Sequence, residues 1–147
     1  MKLLRFASAG FMIVIAAVIL FCMRPEPASK IIRCGSNCPA LTDTFSIQLL
    51  CPNGCEHYKV GDSVEIKWCF PPRYPFSQTR VRISTDNGKT YREISEYLVD
   101  YPFRYPIDSY IWVVSDSDIT ASCKIKVQDY DGNVFDASDT TFTITAQ

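Results

Sequence analysis

Histidine is almost absent from this chain: His57 is the only one. That removes most histidine-based metal sites and leaves Ser-His or Cys-His catalysis with a single candidate base. No G-x-S-x-G, no H-E-x-x-H and no phosphate-cradling glycine loop occurs, so the common hydrolase, metalloprotease and nucleotide-binding signatures are missing. No carboxylate sits in an apolar stretch that would raise its pKa toward general-acid work. The formal net charge is −1, so there is no basic footprint for nucleic acid. No long helical periodicity appears. These absences point away from an enzyme, and no cofactor or metal is expected. A pair of carboxylates that meet only in space, as in glycoside hydrolysis, is the enzymatic alternative.

What is present suits one β domain behind a leader. The chain has 147 residues, 47% of them apolar, enough for a real core. Aromatics at 13% and nine prolines point to strands joined by shaped loops. Residues 1–23 carry Lys2 and Arg5 ahead of an apolar run from Phe6 to Met23, the order of an export signal. The run is long enough for an uncleaved membrane anchor ending at Arg24. Cleavage after Ala28 places Glu26 at −3, a poor fit. Lipidation at Cys22 places Phe21 where a small residue is wanted. Each fate puts the rest of the chain outside the cytoplasm, with the membrane as partner of the N-terminal segment.

Residues 24–44 read as a linker, with Pro25, Pro27, Gly35 and Pro39 and no periodicity. Cys34 and Cys38 stand there as C-G-S-N-C, and Cys51 and Cys55 follow as C-P-N-G-C. Two C-x3-C pairs invite a zinc or redox reading, although zinc knuckles use C-x2-C. Outside the cytoplasm disulfides are the default. Without Cys22 six cysteines remain, and three disulfides among Cys34, Cys38, Cys51, Cys55, Cys69 and Cys123 are expected. Cys69 with Cys123 is one candidate pair, provided a bulge turns Cys69 inward; in regular pleating it opposes Trp68.

Residues 45–147 carry period-two alternation throughout. Phe45, Ile47 and Leu49 mark a first strand. Val64, Ile66 and Trp68 mark a second, and Val81 and Ile83 a third. Asp86-Asn87-Gly88 closes a hairpin that returns over Thr90 to Tyr97. Tyr110, Trp112 and Val114 alternate with Ile111 and Val113, so that strand is apolar on both faces and is expected at a sheet centre. Cys123, Ile125 and Val127, then Phe142 and Ile144, form a closing hairpin about Asp129–Asn133. About seven to eight short strands imply an all-β, immunoglobulin- or fibronectin-like antiparallel sandwich.

Several motifs resemble a known family. C-P-N-G-C-E-H-Y-K-V-G-D-S-V-E-I-K-W (51–68), R-I-S-T-D-N-G-K-T-Y-R-E-I (82–94) and the closing strands resemble the Ser/Thr-rich, membrane-anchored immunoglobulin-like domain of fungal cell-wall proteins. That domain also serves as a tandem module of bacterial secreted and surface proteins. The likeness covers about residues 47–146 and implies a non-catalytic surface, wall or spacer module. Cysteines replacing Ser and Gly in the first motif, and the aromatic stretch Phe70–Phe76, depart from it. A Ser/Thr-rich stalk and a C-terminal anchor signal are not seen either.

Two loops look available for recognition. Phe70–Phe76 includes Tyr74 and Phe76, and Tyr97–Tyr105 includes Tyr101, Phe103 and Tyr105. Exposed rings there suit a sugar face or a protein interface, making a carbohydrate-binding module the closest alternative. The plainer reading has the rings packing together to cap the sandwich. Asp129, Asp131, Asp136 and Asp139 offer oxygen ligands for calcium, but a hairpin turn wants the same residues.

Overall fold

A computed structural model describes residues 30–33, 46–70, 78–95, 98–99 and 107–147. The apolar run 6–23 lies outside them, and no described helix is long and apolar enough to cross a membrane. The protein is mostly β, with two mixed sheets and, among the described residues, no helix beyond the 3-10 turn Asp116–Asp118.

Among the described residues, eleven short strands stand where seven or eight were expected. They are β1 (Ile31–Ile32), β2 (Gln48–Cys51), β3 (His57–Lys59), β4 (Ser63–Cys69), β5 (Gln78–Ser84), β6 (Arg92–Glu93), β7 (Leu98–Val99), β8 (Ile107–Val113), β9 (Thr120–Asp129), β10 (Phe135–Ala137) and β11 (Phe142–Thr145). In the smaller sheet β4 is the centre, with β1 and β2 along one edge and β8 along the other. The larger sheet runs β3-β11-β9-β5-β6, with β10 added to β9 and β7 to β5. The purely antiparallel expectation is corrected at two places. β1 runs parallel to β4, and β3 runs parallel to β11. The physical reason is that neither pair is joined by a hairpin: β2 lies in one sheet and β3, five residues on, in the other. β1 also falls within the stretch read as linker.

Alternation places the core where the sequence puts it. Val64, Ile66 and Trp68 of β4 face Val81 and Ile83 of β5 and Cys123, Ile125 and Val127 of β9, all buried. Phe142 and Ile144 close the cluster, with Tyr58 meeting Phe142 edge-on at 5.6 Å. The closing hairpin is divided: β10 pairs with Lys126–Gln128 and β11 with Thr120–Cys123. Ser138 lies between them. Its hydroxyl oxygen accepts from Ile125 N–H (3.0 Å), and its proton goes to Pro52 C=O (2.9 Å).

The turn linking β2 to β3, which includes a cis Cys51–Pro52 bond, is anchored to that same segment. Glu56 accepts from Asn53 and Gly54 N–H, both at 2.8 Å. Asn53 exchanges two hydrogen bonds with Asp139, at 2.7 and 2.9 Å. Gly54 has φ +132°, and a Cβ there would run into the Thr140 side chain and come within 3.0 Å of its carbonyl oxygen. Gly54→Ala is therefore expected to lose about 2–3 kcal/mol. A urea titration checks this: the midpoint falls at constant m-value.

The disulfide expectations are corrected for three cysteines. Cys51, Cys55 and Cys123 are reduced, and no disulfide joins two described residues. Cys69 is disulfide-bonded. The Cys69–Cys123 pair fails for the reason pleating gives. Trp68 points into the core, so Cys69 projects from the opposite face of β4, away from β9, although it too is buried. Cys34, Cys38 and Cys22 lie outside the described residues.

Candidate functional site

Tyr74, Phe76, Tyr101, Phe103 and Tyr105, the sequence's candidates for ligand contact, all lie outside the described residues. What the described part presents instead is a groove of about 530 Å³ lined by β6 and the residues just after it and by β8 and the turn that follows it.

The β5–β6 hairpin sets one wall. Asn87 and Gly88 both take positive φ (60° and 83°), as the Asp-Asn-Gly sequence predicts. Asp86 accepts from Thr90 N–H (2.9 Å), Ser84 hydroxyl (2.7 Å) and Thr90 hydroxyl (2.7 Å). These bonds, Thr90 N–H foremost, pull its carboxyl pKa down to about 2. The turn's contribution is thus full above the ordinary carboxylate range and fades as pH falls through about 2. Beyond the turn, Ser95 hydroxyl accepts from the buried Val81 N–H at 2.9 Å, holding the segment after β6 against β5.

β8 sets the other wall, and here the expectation is corrected. The strand is not central: among the described residues it pairs with β4 alone. Tyr110 and Trp112 face inward, whereas Ile111 and Val113 remain 41% and 60% exposed. Two contacts cross between the walls. Tyr110 hydroxyl donates to Ile94 C=O at 2.7 Å. Arg92, half exposed, pairs with Asp118, which is fully buried in the 3-10 turn after β8. Asp118 also accepts from Ser115 N–H (3.2 Å) and Ser115 hydroxyl (3.0 Å). Its charge is therefore matched inside the groove, where the second acid, Glu93, lies 4.0 Å from Arg80. The lining mixes Ile94, Tyr110, Ile111, Trp112 and Val113 with Glu93, Ser95, Ser115 and the Arg92–Asp118 pair, and its one cation is already matched, which suits an extended polypeptide better than phosphate. None of this was flagged in the sequence. Arg92 lies on β6 and its partner Asp118 in the 3-10 turn after β8, and the exposed Ile111 and Val113 gave a signal read as burial.

The acidic residues at the other end have structural partners. Asp136 Oδ2 accepts from Leu49 N–H at 2.8 Å, tying β10 to β2. Asp129 Oδ1 accepts from Val134 N–H at 3.2 Å, while its Oδ2 is buried without a hydrogen-bond partner. The described residues hold no group of three His, Cys, Asp or Glu able to bind a metal. His57 is exposed on β3.

The three reduced cysteines differ in chemistry. Cys55 is exposed, with Sγ 3.6 Å from Thr140 Oγ1. Cys51 is buried, with Sγ 3.5 Å from Glu65 C=O. Cys123 is buried, and burial, helped by the nearby Asp118 charge, pushes its thiol pKa up to about 12. Cys123 therefore stays protonated in the folded protein at pH values where the unfolded chain releases the proton. Stability is whole below about pH 9 and declines between 9 and 12. Alkaline titration of unfolding should show that decline flattened in Cys123→Val; an unchanged slope overturns the assignment. Maleimide should reach Cys55 in the native protein, and Cys51 and Cys123 only after unfolding.

The chain matches no protein-family model, no curated protein and no solved structure.

Proposed function

We propose that the protein is a non-catalytic, exported and membrane-tethered immunoglobulin-like module that binds or spaces at the cell surface. The observation that carries this reading is the division of the first strand. β2 pairs antiparallel with β4, β3 pairs parallel with β11, and β4 and β8 oppose the β11-β9-β5 sheet. That connectivity supports an immunoglobulin- or fibronectin-like sandwich over other two-sheet folds. The 51–68 and 82–94 motifs, which resemble the cell-wall family, fall on the β2–β4 and β5–β6 elements that build it. The charge-then-apolar leader and the oxidised Cys69 support placement outside the cytoplasm.

Export is tested on intact cells with a membrane-impermeant maleimide. The parent chain should label, and Cys55→Ser should label less. Labelling of Cys55 only after permeabilisation would sink the placement. The carbohydrate-binding alternative rests on the aromatic loops. A glycan screen of the full chain with Tyr74→Ala and Tyr101→Ala tests it, and binding unchanged in both variants removes the loops from recognition.

A further inference from the structure

We propose that β8 pairs edge to edge with β8 of a second copy, antiparallel, about a two-fold axis at Ile111. The inference is independent of the export reading. Val114 N–H donates to Asp62 C=O and Val114 C=O accepts from Gly61 N–H, both at 2.9 Å, so its main-chain groups point toward β4. Alternation along the antiparallel β4–β8 ladder points Tyr110 and Trp112 the same way and turns the N–H and C=O of Ile111 and Val113 outward. Edge strands are normally guarded by charge or proline. From Ser109 to Ser115 this edge has neither, and it exposes Ile111 and Val113 instead. The one guard is Asp108, which accepts from Ser109 N–H at 2.7 Å at the start of the stretch.

The strand's own sequence is what makes a second copy the fitting occupant. Antiparallel self-pairing is in phase when Ile111 meets the partner's Ile111. Each Ile111 then exchanges both main-chain bonds with the other, and Val113 N–H meets the C=O of the partner's Ser109. On the inner face Tyr110 falls opposite the partner's Trp112, twice by symmetry, giving aromatic cross-strand pairs. On the outer face the isoleucines and valines form one apolar row. Asp108 is the only charged residue of β8 and falls opposite the partner's Val114, so no like charges meet.

The test uses the full chain in mild detergent. Ile111→Cys should form a disulfide-linked dimer well above the parent's background, because cysteines facing each other on the axis sit within disulfide reach. Ser109→Cys mixed with Val113→Cys should cross-link, while neither does so alone. Ile111→Lys sets two ammonium groups against each other and should weaken dimerisation at least about tenfold by light scattering. A parent that is monomeric at all concentrations, or an Ile111→Cys chain that keeps its β circular dichroism yet cross-links no more than the parent, overturns the proposal. Cross-linking from position 111 only to a different polypeptide overturns it as well.

Discussion

Arg92→Ala is expected to destabilise the protein by about 3 kcal/mol, well beyond the roughly 1 kcal/mol expected for Asp118→Asn. The asymmetry follows from where the two partners sit. Arg92 is half exposed, so a guanidinium that loses its carboxylate swings into water at little cost. Asp118 is fully buried, so a carboxylate that loses Arg92 is left in a dry site with only the Ser115 and Ser117 donors. Asparagine at 118 removes the charge and still accepts from Ser115 N–H, which preserves the 3-10 turn. Urea unfolding of the single variants and of the double variant decides the matter. In the double variant the orphaned charge is gone, so it should be more stable than Arg92→Ala alone. Asp118→Asn costing more than Arg92→Ala would reverse the argument.

Trp68→Ala is expected to lose about 3–5 kcal/mol, a large share of the 5–15 kcal/mol typical of a domain. Trp68 is fully buried on the central strand of the smaller sheet and meets Phe70 edge-on at 6.5 Å. Its indole N–H is buried without a hydrogen-bond partner. Trp68→Phe should therefore stay within about 1 kcal/mol of the parent, because the smaller ring's loss of packing is offset by removing an unsatisfied donor. Trp112 is the only other tryptophan and serves as the fluorescence reporter in both variants. A Trp68→Phe protein as unstable as Trp68→Ala would show that ring size outweighs the stranded donor.

The parts of the fold legible in sequence are those governed by a single strand's own pleat. The inward phases of β4, β5, β9 and β11 and the Asp86-Asn87-Gly88 turn are read correctly from local alternation and turn chemistry. Features set by a strand's neighbours are not. Ile111 and Val113 carry the same apolar signal whether β8 has one neighbour or two, so its place at the sheet edge was hidden. β1 has only two residues, too few for any period to register. The groove draws on residues from both sheets, and Arg92 meets Asp118 across 26 positions of chain. Cys123 illustrates the same limit. Its inward phase was clear, but whether a second sulfur faced it depended on which side of β4 Cys69 occupied.

The parallel pairing of β3 with β11 has a mechanical consequence. Thr143, Ile144 and Thr145 lie beside His57, Tyr58 and Lys59 in parallel register. Tension drawn between the chain before β3 and the chain after β11 pulls these two strands along their own axes in opposite directions. Every hydrogen bond between them is then strained at once, in shear, instead of opening one at a time like a zipper. A module tethered at one end and engaged at the other would resist stretching at this seam first.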